Sequence, residues 1–245
     1  TRFGQFELGM KFAQQLNVPI IVSELTLPVP SWSPQQKHGI STRHGTLNTF
    51  TSEYAAKEWG YDPGTVYVIR QGVDVDIFKA NSAVQKKLHC LTVCNDFVNR
   101  DYCCGYSSWE RVTGGLQRKV YGNTPGLSEP AKDTDDLVRI YNEATVYVHT
   151  GAVSPSPSAV WEAMACGLPV VAFDVCGLSE IIETGRTGFI CKDELEMRTR
   201  IMELLNNPAT AKKMGYDARI AVKEKMSVTK FVNNWQKVFD VAKDV

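Results

Sequence analysis

Between residues 90 and 191 the chain alternates short apolar runs with single helical segments, and this pattern leaves few folds open. The runs lie at Cys90–Cys94, Lys119–Gly122, Thr145–His149, Pro169–Phe173 and Gly188–Cys191. Helical patterns fall near Ser107–Gly114, Asp135–Ala144, Ser158–Cys166 and Leu178–Thr184. A strand that returns through one helix to another strand enters the same sheet parallel, with helices covering both faces. The expected class is therefore α/β. Three more helices, about Asp193–Asn206, Ala209–Lys225 and Val228–Lys243, are split by Pro208 and by Met226-Ser227.

The first eighty residues repeat the alternation less cleanly. Phe6, Met10, Ala13 and Leu16 share one helical face, and Asn17 with Pro19 closes that helix before a strand at Ile20-Ile21-Val22. Pro28, Pro30 and Pro34 then impose a loop at the carboxyl end of that strand, where open α/β sheets bind ligands. A strand at Thr49-Phe50-Thr51, a helix from Ser52 to Gly60 and a strand at Val66–Ile69 follow. The polar stretch Phe78–Lys87 reads as a linker, with a domain boundary near residue 82.

Composition removes several functions. Lys plus Arg equals Asp plus Glu at 27 each, and no basic run is present, so a nucleic-acid partner is not indicated. Apolar runs stop after about five residues, against the roughly twenty that cross a bilayer, so no transmembrane segment is expected. Seven cysteines show neither a zinc spacing nor a paired framework. Most sit in apolar segments, which predicts reduced thiols, a cytoplasmic location and no metal site.

The chemistry concentrates between Ser154 and Glu183. A strand ending at His149 runs into a loop of small residues, and a helix starts near Ser158. That arrangement offers free backbone amides and a positive helix end at the carboxyl edge of the sheet, which suits a diphosphate. Glu162 lies one turn into this otherwise apolar helix, where a carboxylate is costly unless something pairs with it. A solvent-facing glutamate is the competing reading. Gly167, Gly177 and Glu180, at the same sheet edge, weigh against it.

The run Glu162-Ala-Met-Ala-Cys-Gly167-Leu-Pro-Val-Val-Ala, followed by Gly177-Leu-Ser-Glu180-Ile-Ile and Gly185-Arg-Thr-Gly-Phe-Ile, resembles the carboxyl-terminal domain of family 4, or group 1, glycosyltransferases. Val68–Phe78 is similar to that family's interdomain segment. Passages at Asn95–Asp101, Gly122–Ser128 and Ser154–Pro157 further resemble a compact viral or phage-like branch. The resemblance implies a GT-B-like architecture of two Rossmann-like domains, the amino-terminal one short or truncated and the carboxyl-terminal one complete. The expected division is 1–82 on the acceptor side, 83–226 for the nucleotide sugar, and 227–245 as a terminal helix crossing back, with Trp235 and Phe239 buried against the first domain.

The same resemblance assigns donor ribose to Glu162 and diphosphate to Ser156, Pro157, Ser158, Ala159 and Arg100, with Asn95, Thr124 and Ser154 completing the donor side. It implies a nucleoside diphosphate sugar as donor, UDP or GDP, an unidentified acceptor, retention of configuration, and neither metal nor further cofactor. Two departures stand out. Ser154 occupies the place of the family's first glutamate, eight positions before Glu162. No histidine follows the Ile20–Ser23 strand, which leaves Glu24, His38 and His44 as acceptor-side candidates. A short first domain also predicts self-association or an upstream segment. The alternatives are an inactive nucleotide-sugar-binding module or another GT-B enzyme, such as a sugar-nucleotide epimerase.

Overall fold

The computed structural model describes residues 3–28, 31–41, 46–154 and 156–244. They form two compact units. One holds Thr1–Gly72, Ser154–Ser156 and Thr229–Val245, and the other holds Val73–Val153 and Pro157–Val228.

In chain order the first unit carries α1 (Phe3–Leu16), β1 (Ile20–Glu24), α2 (Pro34–Ser41), β2 (Thr46–Phe50), α3 (Glu53–Glu58) and β3 (Tyr67–Val68). Its strands lie parallel in the order β1-β2-β3, Ile20 opposite Thr46 and Thr49 opposite Tyr67. Ser52 starts α3 because its hydroxyl accepts the Ala55 amide at 3.0 Å. Phe50, Ala55, Ala56 and Trp59 then form the core, and the Trp59 indole donates to the Thr26 carbonyl at 2.8 Å. On α1 the predicted face is only partly inward: Ala13 is buried, whereas Leu16 is 68% exposed.

The second unit carries β4 (Cys90–Val93), α4 (Asp101–Cys104), α5 (Tyr106–Thr113), β5 (Arg118–Tyr121), α6 (Thr134–Glu143), β6 (Val146–His149), α7 (Ser158–Ala165), β7 (Val170–Phe173), β8 (Gly188–Cys191), α8 (Glu194–Asn206) and α9 (Pro208–Met226). The strands are parallel in the order β5-β4-β6-β7-β8. The chain leaves β4 toward one edge and returns to β6 on the other side. The carboxyl ends of β4 and β6 therefore flank a topological switch point, where such sheets open a crevice. Leu178–Glu180 is a single 3₁₀ turn and not the predicted helix to Thr184. Gly177, at φ 73°, sets the chain into that turn, which the Ile181 and Ile182 amides close on the Leu178 carbonyl.

The boundary falls at Gly72–Val73, ten residues before the expected one, because residues 73–82 are bound to the second unit. Arg219 on α9 donates to the carbonyls of Val75 (3.0 Å), Phe78 (2.9 Å) and Ala165. Bonds from a charged donor contribute about 1.5–3 kcal/mol each. Buried Asn142 on α6 donates to the Lys79 carbonyl at 2.9 Å and accepts the Asn81 amide at 2.7 Å. A polar stretch need not be a loose linker when its backbone is claimed in this way.

The last helix, α10 (Val228–Ala242), belongs from Thr229 onward to the first unit. Its buried seam is Val238 and Ala242. The burial expected of Trp235 and Phe239 is corrected: they stack on each other at 5.5 Å, and Phe239 stays 46% exposed. Residues four apart line up along a helix, so the aromatic row beside the seam covers itself.

Candidate functional site

The β4–α4 and β6–α7 connections meet the sheet at the switch point, and close backbone contacts fix both. Gly105 ends α4 and begins α5 at φ 74°, a left-handed conformation, and a Cβ there would overlap the Thr150 carbonyl oxygen. The Ala152 amide donates to the Cys103 carbonyl at 2.8 Å, and Asp101 accepts the Ser107 amide at 2.8 Å. The loop leading to α7 is thus bound to α4, the helix that follows the β4 loop.

A second brace joins the ends of β4 and β5. Asn95 accepts the Asn123 amide at 2.8 Å, and a Cβ on Gly122 would overlap the Cys94 carbonyl oxygen. Thr124 is 1% exposed, and its hydroxyl accepts the Phe97 amide at 3.0 Å and donates to the Cys94 carbonyl at 3.4 Å. The hydroxyl of this expected donor-side residue is therefore buried and used in holding the loops. Asn95, by contrast, is exposed at the loop surface.

Arg100 caps the start of α4 through its backbone, and its side chain is exposed on the β4 loop. On the neighbouring strand, α7 begins after Pro157, which has no side-chain acceptor for the helix amides. The amides of Ser158 and Ala159 precede the first helical bond and face the carboxyl end of the sheet. Val160 closes the turn by donating to the Pro157 carbonyl at 3.0 Å. Of the predicted phosphate turn, Pro157–Ala159 lies in the second unit, whereas Ser154 and Ser156 group with the first.

Glu162 follows one turn later. Its neighbours Val160, Trp161, Ala163, Met164 and Ala165 are buried, so α7 is apolar nearly all round and the half-buried carboxylate is its one acidic group. Burial pushes the Glu162 carboxyl above its usual range, and the Tyr141 hydroxyl, donating to Oε2 at 2.8 Å, partly offsets this. Sequence reasoning missed Tyr141. It stands on the inward face of α6 beside Leu137 and Ile140, a position that reads as core packing.

His149 at the end of β6 was also missed. Its Nε2 is buried with no hydrogen-bond partner among the described residues, Gly151 lies directly against the ring, and burial pushes the imidazole down to about 4. It is neutral at physiological pH. The thiols of Cys94 and Cys104 are likewise driven upward by burial, with Cys103 and Cys104 sulfurs 3.7 Å apart. Raised thiols are poor nucleophiles, consistent with cysteine as packing material. A surface groove along the edge strand β5, lined by Lys119, Tyr121, Leu127 and Glu129 among others, includes none of the predicted donor residues.

In the first unit Glu24 ends β1, is 5% exposed, and has its carboxyl raised by burial. His44 and the side chain of His38 lie outside the described residues. No helix among the described residues is long and apolar enough to cross a membrane.

Residues 130–221, which contain Tyr141, the start of α7 and Glu162, match the family model for glycosyl transferases group 1. The chain is 35% identical over 201 residues to the alpha-maltose-1-phosphate synthase of Mycobacterium tuberculosis, covering 64% of this chain and 52% of that protein. It is 34% identical over 86 residues to the N-acetyl-alpha-D-glucosaminyl L-malate synthase of Bacillus anthracis, covering 34% and 23%. The chain thus spans about half, or less, of these relatives. Among solved structures, a sucrose-phosphate synthase from Thermosynechococcus elongatus superposes with a TM-score of 0.76 at 18% identity, over 95% of this chain and 70% of that one. The Anabaena protein HepE in complex with UDP also reaches 0.76, at 14% identity, over 97% and 75%. These neighbours share the GT-B fold, with its parallel sheets and flanking helices. Residues 130–221 thus carry the similarity of this chain to the glycosyl transferases of group 1.

Proposed function

We propose that this chain binds a nucleoside diphosphate sugar and transfers its sugar to an acceptor, with retention of configuration. The observation that carries the reading is the Glu162 carboxylate, held by Tyr141 one turn into a helix that starts at the switch point of a parallel sheet. In this assignment Glu162 accepts the ribose hydroxyls, the Ser158 and Ala159 amides meet the diphosphate, and Arg100 neutralises charge as the diphosphate leaves. Ser156 and Pro157 belong to the same turn, and Asn95 is assigned to the donor side from the β4 loop. Glu24 is the candidate on the acceptor side.

The donor base is taken to be uracil or guanine. UDP is favoured because the structurally similar Anabaena protein holds it. The reading assigns no metal: of the chain's two Asp-x-Asp sequences, Asp74-Val-Asp76 is a local turn in which Asp74 accepts the amides of Asp76 and Ile77 at 3.0 and 3.1 Å, and Asp133-Thr134-Asp135 opens α6, where Asp133 accepts the Asp136 amide at 2.8 Å. Free cysteines at all seven positions support a reducing, cytoplasmic setting.

Calorimetric titration with UDP, GDP, ADP and their sugars, followed by assays of transfer and hydrolysis, tests this reading. Binding of one nucleoside diphosphate with sugar release is the expected result. Absence of binding to every nucleotide would remove the proposal. A second reading, an inactive binding module, is favoured by Ser154 in place of the family's first glutamate, and it requires binding without turnover. Arg100→Ala is expected to lower affinity for the nucleoside diphosphate more than for the bare nucleoside, because the guanidinium acts on phosphate charge. An equal loss for both ligands would take Arg100 out of the phosphate site.

A further inference from the structure

We propose that Tyr141 is a positioning residue for Glu162, its hydroxyl holding Oε2 so that Oε1 is presented in a fixed direction to the diol of a bound nucleotide. The proposal deepens the donor-binding reading and rests on it for the identity of the ligand. The arrangement itself stands on geometry. Tyr141 on α6 is fully buried and donates to Glu162 Oε2 on α7 at 2.8 Å. Its ring is confined between Phe78, at 6.3 Å, and Tyr147, at 6.1 Å. Tyr147 is anchored in turn, its hydroxyl donating to the Val93 carbonyl at 3.3 Å and accepting the Val93 amide at 3.4 Å, at the end of β4. A chain of buried aromatic side chains therefore connects the end of β4 to the carboxylate on α7.

A carboxylate on a flexible side chain samples several rotamers, and a ligand that needs one of them bears the cost of selecting it. A buried phenol with a fixed ring removes that choice before the ligand arrives. A merely structural tyrosine would fill the same space, so the distinguishing property is electrostatic. The titratable groups near Glu162 are Tyr141 on α6, Tyr147 on β6 and Cys166 in the turn after α7, and burial keeps all three protonated and neutral. Lys86 and Arg219 bear on Cys166. The Tyr141 bond is thus the interaction that favours the ionised carboxylate against its burial.

The test measures Glu162 directly, in the full chain and without nucleotide. The protein is labelled with glutamate carrying ¹³C at the carboxyl carbon, the Glu162 resonance is assigned by its loss in Glu162→Gln, and its titration is followed by NMR. Tyr141→Phe is expected to move that titration to higher pH, and UDP affinity should show a loss in Tyr141→Phe that grows as the pH falls. Combined with Glu162→Gln, Tyr141→Phe should cause no further loss. Site-specific incorporation of 3-fluorotyrosine at position 141, which keeps the ring and strengthens the donor, should move the titration the other way. It also serves if the phenylalanine variant does not fold. An unchanged Glu162 titration in these variants overturns the positioning role. A shifted titration in a protein that binds no nucleotide would instead uphold the coupling and sink the donor reading.

Discussion

Replacing Glu162 by glutamine is expected to weaken binding of UDP or GDP by roughly 5- to 150-fold, the 1–3 kcal/mol scale for losing a charge-assisted hydrogen bond. The same change should not harm the unliganded fold. Burial holds the Glu162 carboxyl above its ordinary value of 4.5. Between 4.5 and the folded value the native state then binds more protons than the unfolded one, so stability falls as pH rises through that window. At neutral pH the charge is a standing cost, and the glutamine variant should unfold at the same or a slightly higher temperature. In the wild type, nucleotide affinity should decline as pH falls through the raised value, since the acceptor is then protonated. Isothermal titration across pH 5 to 8, with thermal unfolding of both proteins, checks all three statements. Equal nucleotide affinity in the two proteins would show that this carboxylate does not touch the ligand.

Gly105→Ala is expected to destabilise the protein by about 3–5 kcal/mol, adding the cost of a left-handed non-glycine residue to that of overpacking. The neighbour that a Cβ meets is the backbone carbonyl of Thr150, not the tip of a flexible side chain. Relief requires the β6–α7 loop to move away from α4, which breaks the bond from Ala152 to the Cys103 carbonyl. Chemical denaturation measures the loss. Removal of the exposed Arg139, which pairs with Asp136 and Glu143 on the surface of α6, should cost less than about 1 kcal/mol as a control. A loss below that figure for Gly105→Ala would mean that the two loops are not held as described. If the variant folds with a displaced loop, nucleotide affinity should fall with stability, because the same loop delivers the amides of α7.

The parts of this protein that local pattern determines were legible in the sequence. Strands β4 to β8 and helices α6 to α10 follow from apolar periodicity with capping and breaking residues. Asp133 and Asp193 accept the amides that open α6 and α8, and Pro208 opens α9. Glu162 was legible for the same reason: a carboxylate in an apolar helix is an anomaly visible one residue at a time. What tertiary structure decided depends on groups distant in sequence. The boundary at Gly72 was set by Arg219 and Asn142 binding the backbone of residues 75–81, partners more than sixty positions away. Thr124 reads as a polar loop residue until Cys94 and Phe97 are seen to use its hydroxyl. Tyr141 reads as core because nothing in its own helix announces that α7 sets a carboxylate opposite it. Helix and strand propensities act over a few residues, whereas a buried hydrogen bond exists only after two elements have packed, and no single-chain pattern records which donor will meet which acceptor.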